Sequence, residues 1–138
     1  MIRKTLLALP LVAGLLVGCN NVKPPLYGRG DPYSPSQISF AQEDLEKRTA
    51  IGRVNAVRPA DTNLLTVSVE VRAATNDRLF VQYQATFFDR AGREVDRSAW
   101  NNKTLDPNAF DNIQITTMAP EAVDFRVTFR YATTDPRR

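Results

Sequence analysis

From Ile51 onward, apolar and polar residues alternate with period two, the spacing that sends successive side chains to opposite faces of a strand. Ile51 to Arg58 reads as a first strand, stopped by Pro59-Ala60-Asp61. Leu65, Val67, Val69 and Val71 then form one face of a second strand, with Thr66, Ser68, Glu70 and Arg72 on the other. After a turn at Thr75-Asn76-Asp77, Val81, Tyr83, Ala85 and Phe87 face inward and Gln82, Gln84 and Thr86 outward. Asp89-Arg90-Ala91-Gly92 closes a hairpin, since Asp suits the start of such a turn and Gly tolerates a positive φ at its end. Arg93 to Ala99 returns as a short strand, and a loop containing Leu105-Asp106-Pro107 leads to another from about Phe110 to Met118, with Ile113 and Ile115 inward. Beyond Pro120-Glu121, Val123, Phe125, Val127, Phe129 and Tyr131 alternate with Asp124, Arg126, Thr128 and Arg130.

Ahead of these strands, Ile38 and Phe40 alternate with polar residues, and Ala41 to Arg48 reads as one or two helical turns. Short strands with a turn signal every eight to twelve residues predict an all-β fold. We expect an immunoglobulin-like β-sandwich of six or seven antiparallel strands, with one short helical segment before it. The cysteine pair that marks true immunoglobulin domains is absent, so the expectation concerns architecture alone.

The first residues follow a different pattern. Arg3 and Lys4 precede an apolar run from Leu6 to Val17, too short to span a bilayer of about 30 Å. It fits the hydrophobic region of a secretory signal peptide. The run ends in Leu16-Val17-Gly18-Cys19, which resembles the bacterial lipobox: an aliphatic stretch, a small residue, then the acceptor thiol. The resemblance implies cleavage between Gly18 and Cys19 and acylation of Cys19. Several acyl chains would make attachment close to permanent, where one would hold only marginally. Asn20, where lipoproteins retained in the inner membrane carry Asp, points the expectation to the outer membrane, with the domain facing the periplasm. The chain thus divides into a signal peptide (1–18), an acylated cysteine with a Pro- and Gly-rich spacer (19–36), and a β-sandwich domain (37–138). Such a spacer is extended and semi-rigid, with a reach on the order of 50 Å.

Composition narrows the chemistry. The formal charge of +3 includes Arg3 and Lys4, so the processed chain is nearly neutral, and no nucleic-acid partner is expected. With no histidine and Cys19 as the single cysteine, Ser–His and Cys–His nucleophiles and the usual zinc sites are excluded. A Ser–Lys pair would draw on Lys23, Lys47 or Lys103, none of them in a motif. Asp106, Asn108 and Asp111 come nearest to an oxygen-ligand calcium site but lack its spacing. We therefore expect no catalytic group, no metal and no cofactor. Trp100, beside Asn101-Asn102-Lys103, is either packing or the centre of a displayed loop. Arg72, Arg126 and Arg130 are expected on one outer face, as solvated cross-strand pairs or as anchors for a partner.

The run Leu64-Leu65-x-Val67-x-Val69-x-Val71-Arg72, with Tyr83, Phe87-Phe88-Asp89, Gly92, Val95, Trp100 and Leu105-x-Pro107, resembles the YcfL-like family of small envelope lipoproteins. The likeness covers about residues 50–132. It implies a lipobox, a spacer and one β-sandwich, and it brings no catalytic residues. The function expected is a non-catalytic binding or scaffolding module, held to the membrane by its lipid anchor and engaging an envelope protein. A subunit of an envelope-spanning secretion or assembly machine is the alternative, followed by a ligand carrier or enzyme. Trp100, Asn102, Arg72, Arg126 and Arg130 are the candidate partner-binding residues.

Overall fold

The structure is a computed structural model and describes residues 37–133. Expectations for Gly18, Cys19 and the spacer lie outside the described residues. The elements run β1 (Ile38–Phe40), α1 (Glu43–Arg48), β2 (Thr49–Val57), β3 (Thr66–Ala73), β4 (Leu79–Phe88), β5 (Glu94–Arg97), β6 (Asn101–Leu105), β7 (Asp111–Thr116) and β8 (Asp124–Tyr131). They form the expected β-sandwich. One sheet has the order β1-β8-β4, with β5 and β6 both paired to the far side of β4; the other is β2-β3-β7.

The alternation explains which strands are central. Val67, Val69 and Val71 on β3 are fully buried, as are Val81 and Ala85 on β4 and Val127 and Phe129 on β8. Phe40 and Tyr83 lean on Phe129, with ring centroids 5.5 and 6.5 Å away. Each such side chain contributes roughly 1.5–3 kcal/mol by leaving water.

Two details go beyond the expectation. Eight strands are seen among the described residues, and β1 runs parallel to β8, with Ile38 beside Val127 and Phe40 beside Phe129. The N-terminal strand thus takes the sheet edge beside β8 that a closing C-terminal strand would otherwise fill. The helix follows β1 and carries the chain over to the second sheet, where β2 begins. Leu45 plugs it into the core, fully buried, and its acidic first turn and basic last turn suit the helix dipole. Arg48 donates to the Tyr131 hydroxyl at 3.1 Å and Tyr131 donates to Asp44, pinning α1 to the end of β8. Burial first, and the bond to Asp44 second, push the Tyr131 hydroxyl above its ordinary pKa.

The β4–β5 hairpin follows its sequence signal. Asp89 Oδ1 accepts from the amides of Ala91 and Arg93, and Gly92 takes φ +74°. The bond from the Arg93 amide is the main reason that the Asp89 carboxyl stays below its usual range. Val123 is a correction. It was expected to continue the inward row of β8, but it precedes the strand, bonds through its amide to Phe88 O, and is 46% exposed.

One carboxylate ties the sheets together. Asp96 on β5 accepts from the Thr117 hydroxyl and the Met118 amide, both at 2.7 Å, just beyond β7 of the opposite sheet. The Met118 amide, then the buried Thr117 hydroxyl, hold its pKa below the ordinary value.

Candidate functional site

Trp100 is not at the tip of a loop. It ends a tight connection between two short strands that pair with the same edge of β4. Ser98 builds that connection: its amide donates to Ala85 O, its hydroxyl accepts from the Ala85 amide, and its carbonyl accepts from Gln84 Nε2, each at 2.9 Å. The chain then enters β6 directly, so Asn101 to Leu105 form a strand where a loop was expected. Asn102 pairs with Gln82, and Gln82 in turn lies opposite Arg130 on β8.

These registers gather three side chains beside the indole on one outer face. The Arg130 guanidinium stacks 3.9 Å from the Trp100 ring centroid. Its Nε donates to Gln82 Oε1 at 2.9 Å, and Gln82 Nε2 donates to Asn102 Oδ1 at 2.9 Å. The amide thus orients the guanidinium from one side while the indole faces it, and Trp100 and Arg130 both stay half-buried. A stacked arginine keeps its full charge and its planar set of donors, so the cluster can recognise a carboxylate or carbonyl edge on a partner. Four arginine–aromatic pairs occur in the described residues.

Of the predicted residues, Trp100, Asn102 and Arg130 come together. Arg126 shares their sheet face but lies toward the other end of β8, over the Phe88 ring at 5.9 Å. Arg72 is a correction: it belongs to β3 of the other sheet, so the stripe of three arginines does not exist. Alternation tells which residues point outward but not which sheet a strand joins, and each sheet has its own outer face. Arg72 instead donates to the carbonyls of Ala73 and Pro107, with its guanidinium 5.2 Å from the Phe110 ring. Gln82 and Ser98 were missed as site-builders; the only signal for Gln82 was its outward place in the β4 alternation.

Lys47 is paired with Glu43 and Lys103 with Asp111, at 2.7 and 2.5 Å. Asp106 is spent on the Asn108 amide and on Arg78. Among the described residues, no group of three or more Cys, Asp or Glu is placed to hold a metal ion. No helix there is long and apolar enough to cross a membrane.

The fold and this face define a small β-sandwich with one ordered aromatic–arginine patch. The chain belongs to the DUF1425 family, described as a protein family of unknown function, whose model matches residues 36–131. That span includes β1 and α1, which the sequence resemblance had left outside. Among solved structures the chain is similar to Campylobacter jejuni cj0090, at 12% identity and a TM-score of 0.58, covering 70% of this chain and 99% of that one. It is also similar to a DUF1425 family member from Shewanella sp. pv-4, at 17% identity and a TM-score of 0.54, covering 63% and 81%. At such identities the likeness establishes the fold. No curated protein matches the chain.

Proposed function

We propose that this protein is a YcfL-like lipoprotein of the bacterial envelope, anchored through Cys19 in the outer membrane. It acts as a non-catalytic module that binds an envelope protein through the outer face around Trp100. The observation that carries this reading is the stacking of Arg130 on Trp100 at 3.9 Å, oriented by Gln82. Aromatic and arginine side chains held in place without being sunk in a core are the usual energetic centres of interfaces. The anchor rests on the lipobox-like run ending at Cys19.

Two measurements test the proposal in living cells. Labelled palmitate enters the protein and is lost in Cys19→Ala; label in that variant would refute acylation at Cys19. A photo-crosslinker at Asn102 or Arg126 captures one dominant envelope protein, while the same group at Gln114, on the outer face of the second sheet, does not. Equal capture from all three positions, or none with the protein folded and anchored, would remove the case for this face.

A further inference from the structure

Four large hydrophobic residues are exposed among the described residues, and three of them, Val57 (46%), Met118 (81%) and Val123 (46%), lie at one end of the sandwich. The registers fix this. Val57 is opposite Thr66, the last pair of β2 and β3, and Thr66 is opposite Thr116, two residues before Met118. The Val123 amide bonds to Phe88 O, the last residue of β4. The fourth, Phe110, lies on the outer face of the second sheet, with the Arg72 guanidinium 5.2 Å from its ring. At the three-residue end the exposure is built in, because Met118 cannot swing inward: its amide is bound to Asp96, and buried Thr117 before it holds the same carboxylate.

Charged groups line a groove beside Val123. A groove of about 550 Å³ opens at this end, lined by Arg58, Arg90 and Arg93 with Asp89, Glu121 and Val123 among its walls. Arg58 is committed to the fold, since it donates to the carbonyls of Asn63, Pro120 and Ala122 and so ties two loops together. Arg93 is paired with Asp89, and Arg90 at the hairpin tip lines the rim.

β1 enters its sheet from this same end. β1 runs parallel to β8 with Ile38 beside Val127, so Gln37 lies near the start of β8. Seventeen residues, 20 to 36, separate Cys19 from Gln37 in the sequence. We infer that this end of the domain is a membrane-seating surface: Val57, Met118 and Val123 enter the boundary between phospholipid headgroups and acyl chains, with Arg90 among the phosphates. Exposed apolar side chains beside an arginine-lined groove, at the end from which β1 enters its sheet, have the composition of an interfacial surface. The spacer allows the domain to stand off, but an apolar end held within reach of the bilayer settles onto it. The Trp100 face, on the half of β4 away from this end, is then left open to a protein partner.

The inference rests on the lipid anchor proposed above. The experiment uses the acylated full-length protein in vesicles of phosphatidylethanolamine and phosphatidylglycerol, with benzoylphenylalanine replacing Met118 or, separately, Asn102. Met118 is 81% exposed, so its replacement leaves the core intact, and unchanged Trp100 fluorescence checks this. Irradiation adds the mass of a phospholipid to the Met118 position in several-fold greater yield than to the Asn102 position. Equal yields, or capture of a protein instead of lipid at Met118 in whole envelopes, overturn the inference. The palmitate label separates the two ideas: label on Cys19 with no lipid adduct at Met118 leaves the anchor standing and removes the seating surface, whereas absence of label removes both.

Discussion

Two arginine–aromatic pairs sit on opposite outer faces of this sandwich, Arg72 with Phe110 and Arg130 with Trp100. In the first, both hydrogen bonds of the arginine end on backbone carbonyls, at Ala73 and Pro107. Phe110 in turn lies over Gly52, where an added Cβ would come within 3.1 Å of its ring and 3.0 Å of Glu70 Oε2. That pair closes the β6–β7 loop over β2 and acts as a strut. In the second, the arginine bonds to Gln82, which bonds to Asn102, and the chain of contacts stays among side chains on the surface. The same two residue types therefore serve closure on one face and presentation on the other. What distinguishes them is where the donors end.

The largest expected effect lies beneath both faces and treats them alike. Val69 on β3 and Val127 on β8 are fully buried. Val69→Asp or Val127→Asp buries a charge without a partner, at a cost of at least about 3 kcal/mol, a large share of a small domain's stability. Both variants are expected to lose near-ultraviolet circular dichroism and to shift Trp100 fluorescence to that of a solvated indole. A folded variant of either kind would mean that the inner faces are misassigned.

Next comes the strut. Gly52→Val should destabilise by about 1–3 kcal/mol through overpacking against Phe110 and Glu70. Glu70 also accepts from the Arg53 amide at the β2 bulge, so displacing it leaves that donor open. Valine is otherwise favoured in strands, so a denaturation midpoint equal to wild type would show that Phe110 is not seated on Gly52.

Asp96 sharpens the comparison from the side, since it joins the sheet carrying Trp100 to the one carrying Phe110. Its folded pKa is depressed, so its stabilising contribution is present above the ordinary carboxyl value of 3.8 and is lost as pH falls through and below it. Asp96→Asn should lower stability near neutrality by about 1–2 kcal/mol and flatten part of the loss on acidification. Asp89 shifts in the same direction, so some acid dependence persists in the variant. Parallel stability curves for variant and wild type from neutral to acid pH would contradict this role.

The sequence made some of this readable and concealed the rest for physical reasons. Val67-x-Val69-x-Val71 and Phe125-x-Val127-x-Phe129 announced their strands because strict alternation has no helical reading. β6 stayed hidden because Asn101-Asn102-Lys103-Thr104 has no apolar residue on either face; its inward position is held by Lys103 pairing with Asp111. The parallel partnership of β1 with β8 joins residues 89 apart, Ile38 to Val127, and local pattern carries no trace of it. Trp100 and Asn102 were picked out by residue type, whereas Gln82, which joins their pairings, looked like any outward polar residue of β4. Arg72 looked equivalent to Arg130 because alternation cannot assign a strand to a sheet.

The smallest effect on stability is expected where the effect on function is greatest. Trp100 and Arg130 are half-buried, and neither belongs to the core. A cation–π contact at such a site contributes roughly 0.5–1 kcal/mol, so Trp100→Ala and Arg130→Lys should unfold within about 1 kcal/mol of wild type. Lysine keeps the positive charge but lacks the planar fork that faces the indole while bonding to Gln82. If the face binds a partner through that oriented guanidinium, Arg130→Lys loses capture from the Asn102 crosslinker nearly as fully as Trp100→Ala. Arg72→Lys, on the strut side, leaves capture unchanged and lowers stability instead. Should Arg130→Lys retain capture, charge alone would be what the partner reads, and the stacking would be packing like that of Arg72 on Phe110.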